Sequence, residues 1–160
     1  MNHESGIKNK SSGFTLIELV VVFSIIGILS VLGIAGFNEY NQVQTLQTAT
    51  NDVATMLNLA KSRALSQVKL NSICIPTRPL RGYRVLLLGT NIYRLRIHCG
   101  GSVRTILEKR LPRNITFGAA GTFFFPVLKG GVTTSGQVVL SGYGQTRCIA
   151  VSEVGMIASC

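Results

Sequence analysis

One carboxylate of this chain sits where hydrocarbon should exclude it. Glu18 follows Gly-Phe-Thr-Leu-Ile at residues 13–17 and leads into residues 19–37, an apolar run whose only hydroxyl side chains are Ser24 and Ser30. Together with residues 14–18 the run reaches the ~20 residues that cross a bilayer as a helix. An ionised side chain inside such a span is costly and implies a dedicated partner. The other reactive groups are few: His3, His98, the single Asp at position 52, and the cysteines Cys74, Cys99, Cys148 and Cys160. They form no paired carboxylates, no phosphate-cradling Gly loop and no Ser-His-Asp set, so no enzyme is expected. Cys99 adjoins His98 in sequence, but neighbours on a strand point to opposite faces, which places the two poorly as a thiol nucleophile and its base. With no C-x-x-C spacing and only His98 at hand, no metal site is expected, and no cofactor.

Charge is the second signal. Over residues 39–160 fourteen Lys or Arg stand against four acids, and nine of the bases crowd residues 78–113. Arg94, Arg96, Arg104 and Arg110 are the candidates for an anion-binding surface, with extracellular DNA as the partner that clustered cations would serve. The plainer reading is a solvated strand face that opposes aggregation or meets an acidic neighbouring subunit.

These groups need elements to hold them. Lys8 and Lys10, in the polar stretch before the apolar run, would keep the N-terminus in the cytoplasm and send the rest outward. A secretory signal peptide would have an apolar region of ~7 to 15 residues and a small-x-small cleavage site; this run is longer. Beyond Phe37 the spacing of Val43, Leu46, Thr50, Val53, Leu57, Ala60 and Ala64 by threes and fours draws one stripe of a helix, with Gln42, Gln47, Asn51, Lys61 and Gln67 opposite. Thr and two Ala make a poor coiled-coil seam, so the stripe is expected to pack on the chain's own strands. A single helix from Phe14 to Gln67 would be about 80 Å long.

Residues 69–160 read as strands at 72–75, 83–88, 92–98, 103–111, 115–117, 122–127, 137–140, 146–152 and 154–158, separated by Gly-rich turns. Such a head can build one modest core. All four cysteines lie in it, an even number that suits an oxidising compartment. They allow three connectivities. Cys74 with Cys99 and Cys148 with Cys160 is favoured, because the second bridge would staple the last hairpin.

Gly13, Phe14 and Glu18 resemble the start of the type IV pilin-like family, whose leader ends in Gly, is cut before Phe and has Glu as the fifth mature residue. The resemblance implies that a prepilin peptidase removes residues 1–13, that the new Phe14 amine is methylated, and that Glu18 pairs with the Phe14 amine of a neighbouring subunit. It also implies a pilin fold of α+β class: a transmembrane half-helix (14–37), an amphipathic half (38–68) and a small antiparallel β-rich head (69–160). The expected location is the inner membrane, crossed once with the head outside the cytoplasm, and then a pilus or pseudopilus. Where many members have Pro, this chain has Ala35 flanked by Gly33 and Gly36, glycines that either loosen the helix in the same way or permit close packing of helices in the membrane.

The head is similar to the GspH/FimT group of minor pilins and pseudopilins in residues 58–64, in Cys74-Ile75-Pro76, and in residues 147–152 followed by Gly155. That points to a structural subunit of a type IV pilus or, alternatively, to a DNA-binding pilin of natural transformation or a type II secretion pseudopilin contacting secreted protein. The Gly-Arg-x-Arg stretch with which some FimT-type members bind DNA would match Gly155, Met156, Ile157 and Ala158. Both arginines are absent, so that site does not carry over.

Overall fold

Thr15 and Gln67 set the ends of a long helix, α1 (Leu16–Leu65), in a computed structural model that describes residues 13–160 except Asn71, Thr90 and the side chains of residues 31–36. The expected leader up to Ser12 lies outside the described residues, as do the side chains of Gly33, Ala35 and Gly36. Thr15 caps the N-terminus: its Oγ1 accepts from the Glu18 N–H at 3.3 Å and its carbonyl accepts from the Leu19 N–H at 3.2 Å. At the other end Gln67 takes a left-handed conformation (φ 49°) and the Val68 N–H returns to the Arg63 carbonyl at 3.1 Å, the bond of a Schellman cap. The helix therefore stops at Leu65, two residues short of expectation.

The chain divides into two units between Tyr40 and Asn41, and the second, Asn41–Cys160, holds all the strands. They are β1 (Leu80–Leu88), β2 (Ile92–Cys99), β3 (Ser102–Arg110), β4 (Ile115–Phe117), β5 (Gly121–Pro126), β6 (Gly136–Gly142), β7 (Gln145–Val151) and β8 (Ile157–Ser159). They make two four-stranded antiparallel sheets, ordered β3-β2-β1-β5 and β4-β6-β7-β8. Tyr143 and Gly144, both at positive φ, form the two-residue turn that joins β6 to β7 and matches the strand twist.

Two expected strands differ. Residues 72–75 form turns, with the Ile73 and Cys74 N–H groups both reaching the Leu70 carbonyl at 2.8 and 2.9 Å. Pro76 and Pro79, which cannot donate to a ladder, follow at once. The last strand shrinks to β8 because Gly155 (φ 76°) turns the chain, its N–H donating to the Ser152 carbonyl at 2.8 Å. A side chain at Gly155 would collide with the Gly130 carbonyl.

The expected stripe of α1 is the helical share of the core. Leu46, Val53, Leu57 and Ala60 are fully buried in one cluster with Tyr83, Val85, Leu95 and Ile97 of the first sheet and Leu140 and Ile149 of the second. Ala49 and Met56 join them. The buried Thr50 hydroxyl satisfies itself by donating to the Leu46 carbonyl at 2.8 Å. Tyr83, fully buried, donates its phenol to the Val68 carbonyl at 2.6 Å and so ties β1 to the segment leaving the helix.

Candidate functional site

At the N-terminal site Gly13, Phe14 and Thr15 precede the helix and Glu18 lies in its first turn, where the positive end of the helix dipole favours a carboxylate. The Thr-Leu-Ile-Glu pattern at residues 15–18 has the spacing of a capping box, a signal that the sequence reading passed over. Thr15 is thus part of the same local device as Glu18. Around it the apolar surface is open: Phe14 is 76%, Leu16 80% and Phe23 68% exposed. Among the described residues no helix is long and apolar enough to cross a membrane. The described stretch 16–30 falls short of the ~20 residues a span takes, and residues 31–36 of the expected span lie outside the described side chains.

The second site is the face of the β3-β2-β1-β5 sheet turned away from the core. Along β2, Tyr93, Leu95, Ile97 and Cys99 are buried while Arg94, Arg96 and His98 alternate with them on the other face. Residues opposite one another on neighbouring strands share a face. Glu108 stands opposite Arg94 and Arg110 opposite Ile92, so Arg94, Arg96 and Arg110 lie together on the outer face. A bulge then changes the order: Leu95 faces Leu107 but Arg96 faces Thr105, leaving Ile106 as the extra residue. Arg104 consequently stands opposite the inward-facing Ile97, on the other face from Arg96. The four candidate arginines do not form one stripe.

Arg94 is also not a free cation, since its Nε donates to the Glu108 carboxylate. Arg84 of β1, which sequence reasoning did not single out, stands directly opposite Arg96. Its guanidinium carbon lies 5.4 Å from the Phe124 ring centroid, and the His98 ring meets the same Phe124 edge-on at 5.3 Å. Burial holds the His98 imidazole below its ordinary pKa, and Arg84 and Arg96 lower it further. Gly82 lets Phe124 lie over the sheet, since a Cβ there would crowd both the Phe124 ring and the Phe125 carbonyl. A period-two reading of β2 alone finds Arg96 and His98; only strand pairing adds Arg84 and Phe124.

The cysteines join as Cys74 with Cys99 and Cys148 with Cys160, at Cα separations of 5.1 and 5.4 Å. Cys99, in a disulfide and buried, turns away from His98. Among the described residues no cluster of three His, Cys, Asp or Glu could hold a metal ion. Lys109, opposite Tyr93, reaches Asp52 of α1 at 3.6 Å and spends its charge within the fold.

Comparison with known proteins gives one family match: the prokaryotic N-terminal methylation motif, over residues 8–34. The chain carries a type IV pilin-like prepilin leader, and that motif implies processing by a prepilin peptidase and assembly with other pilin subunits. It describes a leader, not an enzyme family. No curated protein and no solved structure matches the chain.

Proposed function

We propose that this chain, which carries the leader of type IV pilin-like proteins, is a structural subunit cut between Gly13 and Phe14 and assembled through its N-terminal helix into a pilus or related filament. On this reading it is a minor pilin or pseudopilin of the GspH/FimT kind, a building block rather than a catalyst. The observation that carries the proposal is the methylation motif at residues 8–34 running into a helix start whose described apolar side chains, among them Phe14, Leu16 and Phe23, are exposed. Residues 14–37 would hold the subunit in the inner membrane, once across and with the head outside the cytoplasm, until it joins the filament. Two disulfides suit that compartment.

Glu18 supplies the specificity of assembly. A carboxylate moved into an apolar bundle is costly unless an opposite charge and hydrogen bonds compensate it. The methylated Phe14 amine of a neighbouring subunit is that compensation, so only one stagger relieves both charges. Thr15 caps the helix at the Glu18 N–H, and the helix dipole favours the carboxylate in this first turn.

Expression of Glu18→Gln in cells with the native assembly machinery tests this directly. The variant is expected to be processed but lost from sheared filaments, while wild-type filament protein begins with N-methyl-Phe14 by intact mass. Normal incorporation of the variant, or a filament subunit that keeps residues 1–13, ends the proposal.

The alternative of a DNA-binding pilin asks for a continuous row of free cations. Arg104 on the opposite face and Arg94 neutralised by Glu108 speak against such a row. Its test is a gel shift at rising salt, in which phosphate contacts would weaken steeply.

A further inference from the structure

On the outer face of the first sheet, the register lays out two neighbouring rows of side chains across β3, β2, β1 and β5. One row reads Glu108, Arg94, Leu86 and Thr122; the next reads Thr105, Arg96, Arg84 and Phe124. In the first row the single guanidinium has its carboxylate, Arg94 to Glu108. In the second, two guanidiniums stand directly opposite one another, and Thr105 occupies the place that Glu108 has beside Arg94. Like charges opposite each other on paired strands destabilise the pairing. His98, two residues along β2 on the same face, adds a third nitrogen group. The Nε atoms of Arg84 and Arg96 and Nε2 of His98 are shut off from solvent and meet no acceptor among the described residues. Packing on Phe124 holds Arg84 and His98 in place.

We propose that Arg84, Arg96 and His98 form a binding site for the carboxylate of an acidic segment of a different protein, which meets the outer ends of the two guanidiniums and supplies the countercharge that Glu108 supplies to Arg94. The planar guanidinium matches a carboxylate in a fork geometry. The rim is apolar, with half-buried Phe124, Leu86 and Leu88, and an arginine set among apolar side chains is the pattern of a protein interface centre. A nucleic acid would need free cations continued along the face, but Arg104 is on the other side of the sheet and the Arg94–Glu108 pair parts Arg84 and Arg96 from Arg110. Among the described residues of 41–160, no acidic side chain is paired with Arg84 or Arg96. Of the three acids in residues 41–160, Asp52 and Glu108 are in ion pairs and Glu153 lies on the β7–β8 connection in the other sheet. A second copy brings the same excess of positive charge and is repelled. The site stands independently of the filament reading.

The test uses the full-length chain in detergent micelles with His3→Gln, which leaves His98 as the single imidazole. Its ring signal is followed by NMR while an acetylated, amidated tetraglutamate peptide is added. The expected result is a saturable shift, with the His98 titration moved upward in the complex because the bound anion offsets Arg84 and Arg96. Arg84→Gln and Arg96→Gln each weaken binding by about tenfold or more, whereas Arg104→Gln changes it by less than about twofold. Both Gln variants remove a like-charge contact, so the fold tolerates them. Thr105→Glu, which installs a carboxylate beside Arg96, is expected to abolish binding. An unmoved His98 signal, equal loss in Arg104→Gln and Arg96→Gln, or undiminished binding by Thr105→Glu overturns the proposal. Tighter binding of inorganic phosphate or of a short single-stranded oligonucleotide than of the peptide overturns it as well, and assigns the face to phosphate.

Discussion

The Tyr83 phenol, fully buried, is bonded to a carbonyl just past the end of α1. Removing that hydroxyl as Tyr83→Phe keeps the packing and deletes one hydrogen bond, so the expected loss is about 1 kcal/mol of stability, read as a lower midpoint in chemical denaturation. His98 makes stability depend on pH. Its folded-state pKa is lowered by burial and then by Arg84 and Arg96, so the unfolded chain takes up the proton more readily. Its contribution is therefore present above the ordinary value of about 6.5 and lost as pH falls below it. Thermal unfolding across that range is expected to show an acid-side loss that His98→Gln makes shallower. Arg96 and His98 could be picked from the alternation in β2, but Arg84 could not. Its importance arises from a partner strand, and pairing across strands is a long-range fact.

At the scale of elements, caps and turns govern what is kept. The helical stripe from Val43 to Ala64 was readable because burial on one side imposes a 3.6-residue period whatever the partner is. The stop at Leu65 was not, since Gln67 is not a residue that advertises a left-handed cap. The segment 72–75 has apolar residues like a strand, yet two nearby prolines and the bond of Cys74 to Cys99 turn it aside. The short β8 pairs with β7 through three residues and is closed by Cys148–Cys160, two positions with a sequence separation of 12. Replacing both of those cysteines by Ser is expected to cost about 3 kcal/mol and to open β8 first. Hydrogen exchange at Ile157, Ala158 and Ser159 would show the local opening, and denaturant titration the global loss.

Across the whole molecule, two sets of observations carry separate tasks: an exposed apolar helix start bearing the processing motif, and a β-rich unit with its own core and a charged outer face. Blocking the proposed cleavage with Gly13→Leu is expected to leave residues 1–13 attached, visible by intact mass, and to keep the subunit out of filaments while the head's disulfides still form. Composition and local spacing were enough to mark Glu18 as a charge in an apolar run, the helical stripe, most strands and an oxidised set of cysteines, because each rests on neighbours within a few residues or on simple counts. Gly13 and Phe14 came instead from the resemblance of the chain's start to the type IV pilin-like family. The division into two sheets, the bulge at Ile106 that sends Arg104 to the other face, and the meeting of Arg84, Arg96, His98 and Phe124 depend on which strands lie side by side. Register changes a side chain's face with each one-residue shift, and nothing local to β3 records where its partner's residues fall.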